Sequence, residues 1–264
     1  MNRREFLQIM AAAYLVGLNN NSYGKSLKNY NYNFNSDVRL LHITDTHAQL
    51  NPSYFREPNI NLGTGVNKNV PPHIVGKNFL DHYSLSDDFN KYVYTYLNYS
   101  ELAKKYGEFG GYAHLKTVID MLKGQASGNS LLLDGGDTWQ GSAISLFTNG
   151  MDMVQASNIL GVDVMTGHWE FTFGEDQFLK NLSKFNGEFV ANNVFLNDEA
   201  IFNDIEAYND ENHYQKPYTI RKVNGRNIAI IGQAFPYTPI ANPSRLVPNL
   251  TFGIREQELQ MTIN

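Results

Sequence analysis

Apolar positions along the chain change their period several times, and each change predicts an element. Val38 to Thr44 is a short apolar run closed by a polar cluster, the pattern of a buried strand that delivers side chains to its C-terminal end. From Tyr112 to Lys123, Leu115, Val118, Ile119 and Leu122 recur at helical spacing, and Met153, Val154, Ser157 and Leu160 do the same within Met151 to Leu160. Ser130 to Leu133, Val162 to Thr166 and Glu188 to Ala191 read as further strands, with a helix over Gln177 to Phe185. Tyr218 to Val223 and Asn227 to Ile231 flank Asn224-Gly225, a strong hairpin signal. Strands alternating with helices predict an α/β layered fold whose ligand lies beyond the strand C-termini.

Two stretches break the alternation. Residues 19–36 hold seven Asn without periodicity, and ordered structure is expected to begin at Asp37, leaving 27–36 as a linker. Residues 48–107 contain ten Tyr or Phe among 60 positions, too aromatic for disorder, and read as an insertion that packs over the domain surface. Within it, the Tyr92-Tyr94-Tyr96 alternation suggests one face of a strand.

Composition narrows the chemistry. With 264 residues, 42% hydrophobic and 18% charged, the chain can bury a full core. A net charge of −5 removes the footprint of a nonspecific nucleic-acid binder. The absence of cysteine excludes disulfides, thiolate metal sites and cysteine nucleophiles, so any metal must be held by His, Asp, Glu or Asn. Arg3-Arg4 precede an apolar run of ten residues, Ile9 to Leu18, too short to span a bilayer. This start resembles a twin-arginine export signal over residues 1–26, with Ser22 and Gly24 at plausible cleavage positions, and predicts a periplasmic protein exported with its cofactor loaded. No later segment has the length and apolarity of a membrane span.

Three predicted strand ends carry acidic and imidazole clusters: Asp45-Thr46-His47, Asp134-Gly135-Gly136-Asp137 and Gly167-His168-Trp169-Glu170. Asp and His flanking one turn residue can reach a single ion, and Asp137, freed to turn by two glycines, suits a bridge to a second ion held by His168. Asp45, His47, Asp137 and His168 are therefore the candidate metal ligands. Trp169 and Glu170 are candidates for lining the site, Glu170 either as a carboxylate that orients His168 or as a helix-start acid. His42 is left outside the ligand set, His73 and His114 read as loop and helix-face residues, and Asn192-Asn193 as a loop cap.

These blocks, with Gly110-Gly111 and Leu132 to Asp137, resemble the 5′-nucleotidase type of dinuclear metallophosphoesterase. The resemblance implies a layered αββα domain over 37–264, incomplete at its C-terminal end, with later ligand blocks and a C-terminal domain lying beyond residue 264. In the ordinary family pattern Gly-Asn-His-Glu-Phe-Asp, Asn binds the second metal and His, steadied by Asp, is the acid; here those positions are His168, Trp169 and Thr172. The SoxB-type sulfur-oxidation thiosulfohydrolases share that departure, and Tyr54 to Pro58, Pro71 to Gly76, Asp134 to Gly141 and Asp163 to Phe171 are similar to their blocks. That branch implies two Mn2+ ions and a SoxYZ-type thiosulfonated sulfur-carrier protein as partner. Sulfate would be released from its cysteine S-thiosulfonate by a hydroxide activated between the cations. A 5′-nucleotidase or related phosphoesterase, and an inactive fragment, are the alternatives.

Overall fold

The computed structural model describes residues 36–54 and 63–264. The proposed export signal, nearly all of the linker and most of the Tyr54 to Pro58 block lie outside the described residues. Two compact units are formed, one within Tyr54–Phe109 and the other by residues 36–53 together with Gly110–Asn264.

The larger unit opens with β1 (Arg39–Ile43). The smaller unit follows with three short helices, α1 (Gly76–His82), α2 (Asp88–Tyr94) and α3 (Tyr99–Tyr106). The tyrosine alternation expected as a strand face lies mainly on α2. Asp87 caps that helix by accepting from the Asn90 amide at 2.8 Å, and Tyr92, 1% exposed, becomes the centre of the unit's own core. Its ring stacks on Tyr106 at 5.4 Å and on Tyr99 at 6.4 Å, with Leu102 and Ala103 beneath. A large ring on a helix buries as much apolar surface as one on a strand, so tertiary packing overrides β propensity here.

In the larger unit the chain continues through α4 (Tyr112–Gln125), β2 (Ser130–Asp134), α5 (Ala143–Thr148), α6 (Met151–Leu160) and β3 (Val164–Met165). It proceeds to α7 (Glu175–Leu182), β4 (Glu188–Phe189), β5 (Val194–Leu196) and α8 (Asp198–Phe202). The hairpin of β6 (Tyr218–Val223) and β7 (Arg226–Ile231), α9 (Thr238–Ala241), β8 (Leu250–Phe252) and α10 (Glu256–Ile263) complete the order. Strands β1 to β4 form one parallel sheet in sequence order, with Ile43 opposite Asp134, Asp134 opposite Met165 and Met165 opposite Phe189. Only two of the five residues expected as a strand around Val164 have strand geometry. Strands β5 and β8, and β6 and β7, form antiparallel pairs. Val223 faces Arg226 across a two-residue turn, with Asn224 and Gly225 both at positive φ, as the Asn-Gly signal predicts.

Met153, Val154, Ser157 and Leu160 of α6 are all buried, whereas on α4 Ile119 is buried and Leu115, Val118 and Leu122 are only half-buried. Aromatic rings fill the centre: Phe178 lies 4.6 Å from Phe171, 5.0 Å from Phe189 and 6.3 Å from Trp139. Truncating Phe178, which has no exposed surface, is expected to lower unfolding free energy by about 3–5 kcal/mol in urea titration. Phe202 on α8 is 86% exposed, and Phe202→Ala should stay within about 0.5 kcal/mol of the parent.

Candidate metal centre

Parallel pairing does not stop where the strands do. Beyond β1 and β2, the Asp45 amide donates to the Gly136 carbonyl and the His47 amide to the Asp137 carbonyl, each at 2.9 Å; beyond β3, the Thr166 amide donates to the Asp134 carbonyl at 3.0 Å. The register of the sheet is thus carried into the three loops and sets which side chains meet.

The loops take conformations that few side chains adopt. Asp45, His47, Ala48 and Asp137 all have φ near +50°. A left-handed residue other than glycine is unfavourable by about 1 kcal/mol, and such strain concentrates at functional sites. Gly136, at φ +92°, lets the second loop approach the third: a Cβ there would lie 2.8 Å from the His168 nitrogen and 2.9 Å from the Thr166 carbonyl oxygen. Gly141, at φ +125°, admits the backbone of His47 in the same way, 2.4 Å from where its Cβ would stand.

All four candidate ligands come together. Asp137 Oδ2 lies 3.3 Å from His47 Nε2 and 3.3 Å from His168 Nδ1. Asp45, Asp137 and His168 each present one donor atom within 4.8 Å of the others. The carboxylate between the two imidazoles is 4% exposed, while His47 is 59% and His168 26% exposed, so the shared group is the buried one. Gln140 donates to the other oxygen of Asp137, and Thr44 to Asp45. His168 Nδ1 is buried without a hydrogen-bond partner among the described residues, although it points into this cluster. An orphaned imidazole nitrogen beside two carboxylates fits divalent-cation binding by oxygen and imidazole donors, for which Asp45, His47, Asp137 and His168 are the residues present.

Glu170 has no exposed surface and bonds to the backbone of the site. Its carboxylate, wholly buried, accepts from four backbone amides: His168 at 2.7 Å, Thr138 at 2.8 Å, Asp137 at 3.2 Å and Trp139 at 3.2 Å. Such charge-assisted bonds offset the cost of burying the charge and fasten the second loop to the third. Backbone donors take both oxygens, so the carboxylate fixes the His168 backbone, and Glu170 also opens the short 3-10 turn Glu170–Phe173, as the helix-start reading has it. Trp169 is half-buried, its ring 6.4 Å from that of His168. Thr172, at the position of the family's steadying Asp, donates to Asn242 at 3.2 Å.

Behind the ligands, burial pushes the Asp134 carboxyl up to about 7, reinforced by repulsion from Glu170 and Asp45 and opposed by bonds from the Gly136 amide and Thr138 hydroxyl. Thr46 meets the Tyr112 hydroxyl at 2.9 Å and Thr138 at 3.3 Å, tying the first loop to α4 and to the second loop. His42 is exposed on β1, and His114 is exposed on α4 with its Nδ1 2.7 Å from the Gly110 carbonyl. His73 lies in the smaller unit. Asn193 bonds the backbones of Ala234 and Gly253, a loop tie as expected. Sequence reasoning missed the grip of Glu170 and the contact of Phe235 with His168, whose rings stack at 4.3 Å; no local pattern pairs those distant positions.

Two outcomes are expected. Glu170→Gln should destabilise the protein by about 1.5–3 kcal/mol, because a charged acceptor of backbone bonds is lost, and should weaken divalent-metal uptake in calorimetric titration. In metal-free protein, the raised carboxyl of Asp134 favours the folded state most at low pH. Stability should therefore fall as pH rises from about 4 to about 7 and then level off. Asp134→Asn, which keeps an acceptor but cannot ionise, should flatten that part of the thermal-melting profile.

No family model matches the chain. It is 32% identical over 158 residues to the snake venom 5′-nucleotidase of Gloydius brevicauda, covering 59% of this chain and 25% of that protein. The corresponding enzyme of Naja atra is 32% identical over 155 residues, covering 58% and 27%. Among solved structures, the Thermus thermophilus sulfate thiohydrolase SoxB is 30% identical with a TM-score of 0.69, covering 89% of this chain and 42% of that one. A Thermus thermophilus 5′-nucleotidase precursor is 21% identical with a TM-score of 0.55, covering 86% and 34%. The chain thus spans less than half of the SoxB structure, and its match covers about a quarter of each venom enzyme. With its parallel sheet and converging strand-end donors, the chain has a fold similar to that of the metallophosphoesterase domains of SoxB and the 5′-nucleotidases.

Proposed function

We propose that this chain carries the cation-binding strand ends of a dimanganese thiosulfohydrolase, exported to the periplasm, that releases sulfate from a cysteine S-thiosulfonate on a sulfur-carrier protein. The observation that carries the reading is the placement of His168 and Trp169. An imidazole that shares Asp137 with His47 stands where the family pattern has Asn, and an indole stands where it has the acid. The likeness to SoxB over 89% of this chain supports it.

When bound, two divalent cations supply Lewis acidity and a water acidic enough to attack at neutral pH. Asp137, 3.3 Å from both imidazoles, would serve both positions, with His47, His168 and Asp45 as the further donors. Attack at the sulfonate sulfur forms an S–O bond and breaks the S–S bond. Sulfate leaves with the oxygen of water, whose two protons pass to solvent, and the persulfide keeps the bonding electron pair. A persulfide leaves more readily than an alkoxide, so the missing acid costs little. Trp169 offers an apolar wall and one N–H donor.

A 5′-nucleotidase is the second reading, favoured by the 32% identity to the venom enzymes. Assays of the intact protein with a thiosulfonated carrier peptide and with nucleoside monophosphates separate the two. Sulfate release with little phosphate is expected; rapid nucleotide hydrolysis with an inert carrier would transfer the site to the second reading. Asp137→Ala should abolish uptake of both manganese equivalents and His168→Ala mainly one. Each loss should exceed the roughly 10–100-fold typical of residues that only support a ligand. Full metal content in Asp137→Ala would refute the bridging role.

A further inference from the structure

Resting on the proposed metal site, we infer that Phe235 is a positioning residue for His168, holding the imidazole so that it meets the cation through Nδ1. Nδ1 is the buried nitrogen without a hydrogen-bond partner and the one 3.3 Å from Asp137 Oδ2, so the accessible part of the ring lies elsewhere. The backbone of His168 is fixed, its amide by Glu170 at 2.7 Å and its carbonyl by the Thr238 hydroxyl at 3.4 Å. Those bonds leave the side-chain torsions free, and the ring is set by what covers its face. Phe235 covers it, with ring centroids 4.3 Å apart and planes inclined by 26°.

Phe235 is itself immobilised. Its amide donates to the Gly167 carbonyl at 2.9 Å. The preceding Ala234 is held by the buried side chain of Asn193 through bonds of 2.7 and 2.8 Å. Tyr237 meets the Phe235 ring edge-on at 5.8 Å. The segment after β7 therefore clasps the His168 loop by backbone and ring together. Ligation through Nδ1 requires the remaining proton on Nε2.

Zinc titration of the metal-free chain by calorimetry, with 15N spectra of the imidazoles, tests this. In the parent protein, the His168 signals should show a coordinated Nδ1 and a protonated Nε2. Phe235→Ala should bind zinc about 10–100-fold more weakly, the loss typical of residues that orient a ligand, with His168 averaging between tautomers. Phe235→Tyr, which keeps the ring face, should restore both affinity and spectrum. Should Phe235→Ala fail to fold, as judged by its metal-free melting curve, Phe235→Leu carries the same comparison. Parent-like zinc affinity in the Ala or Leu variant, or coordination through Nε2, overturns the inference while leaving the metal site standing if Asp137→Ala still abolishes binding. A parent chain that takes up no zinc or manganese overturns both.

Discussion

The Glu170 carboxylate is the interaction on which the rest of the site depends. It is buried with no exposed surface, and its two oxygens collect the amides of His168, Asp137, Thr138 and Trp139. Two of those amides belong to candidate ligands on different loops. A charge so far from water is tolerated only when donors surround it, so the loops cannot separate without exposing both the carboxylate and the amides. The side chains in front are therefore presented by a rigid backbone.

The sheet supplies the other half of that rigidity. Strands β1, β2 and β3 run in parallel and in sequence order, so their C-terminal ends lie side by side, and pairing continues into the loops through Asp45, His47 and Thr166. Gly136 and Gly141 occupy the places where any side chain would collide with a neighbouring loop. Left-handed backbone at Asp45, His47 and Asp137 shapes the loops that bring the ligands together, at a cost that the packed loops and the aromatic core around Phe178 absorb. Rigidity of this kind suits a cation site, because donors already in place lose little freedom when an ion arrives.

Polarity then distinguishes the front of the site from its back. His47 and His168 remain accessible, whereas Asp134 and Glu170 are sealed behind them. The sealed carboxyl of Asp134 is pushed upward by burial, with the neighbouring carboxylates of Glu170 and Asp45 adding to the effect. On the open side, Trp169 and the stacked pair of His168 and Phe235 give the surroundings an aromatic character.

The sequence by itself determined the alternation of strands and helices, the Asn224-Gly225 hairpin, the buried face of Met151 to Leu160, and the three polar clusters at strand ends. These were legible because hydrophobic period and turn chemistry act over a few residues. It also pointed to Asp45, His47, Asp137 and His168, since short strands of a parallel sheet end on one edge. Only the tertiary structure decided that Tyr92 sits on a helix, because the burial of its ring depends on Tyr99, Tyr106 and Leu102 rather than on its own neighbours. The direction of the Glu170 carboxylate depends on amides supplied by another loop, and the setting of His168 depends on Phe235 from a later segment. Contacts of that range leave no periodic trace in the chain; they exist only once the sheet has fixed which loops stand together.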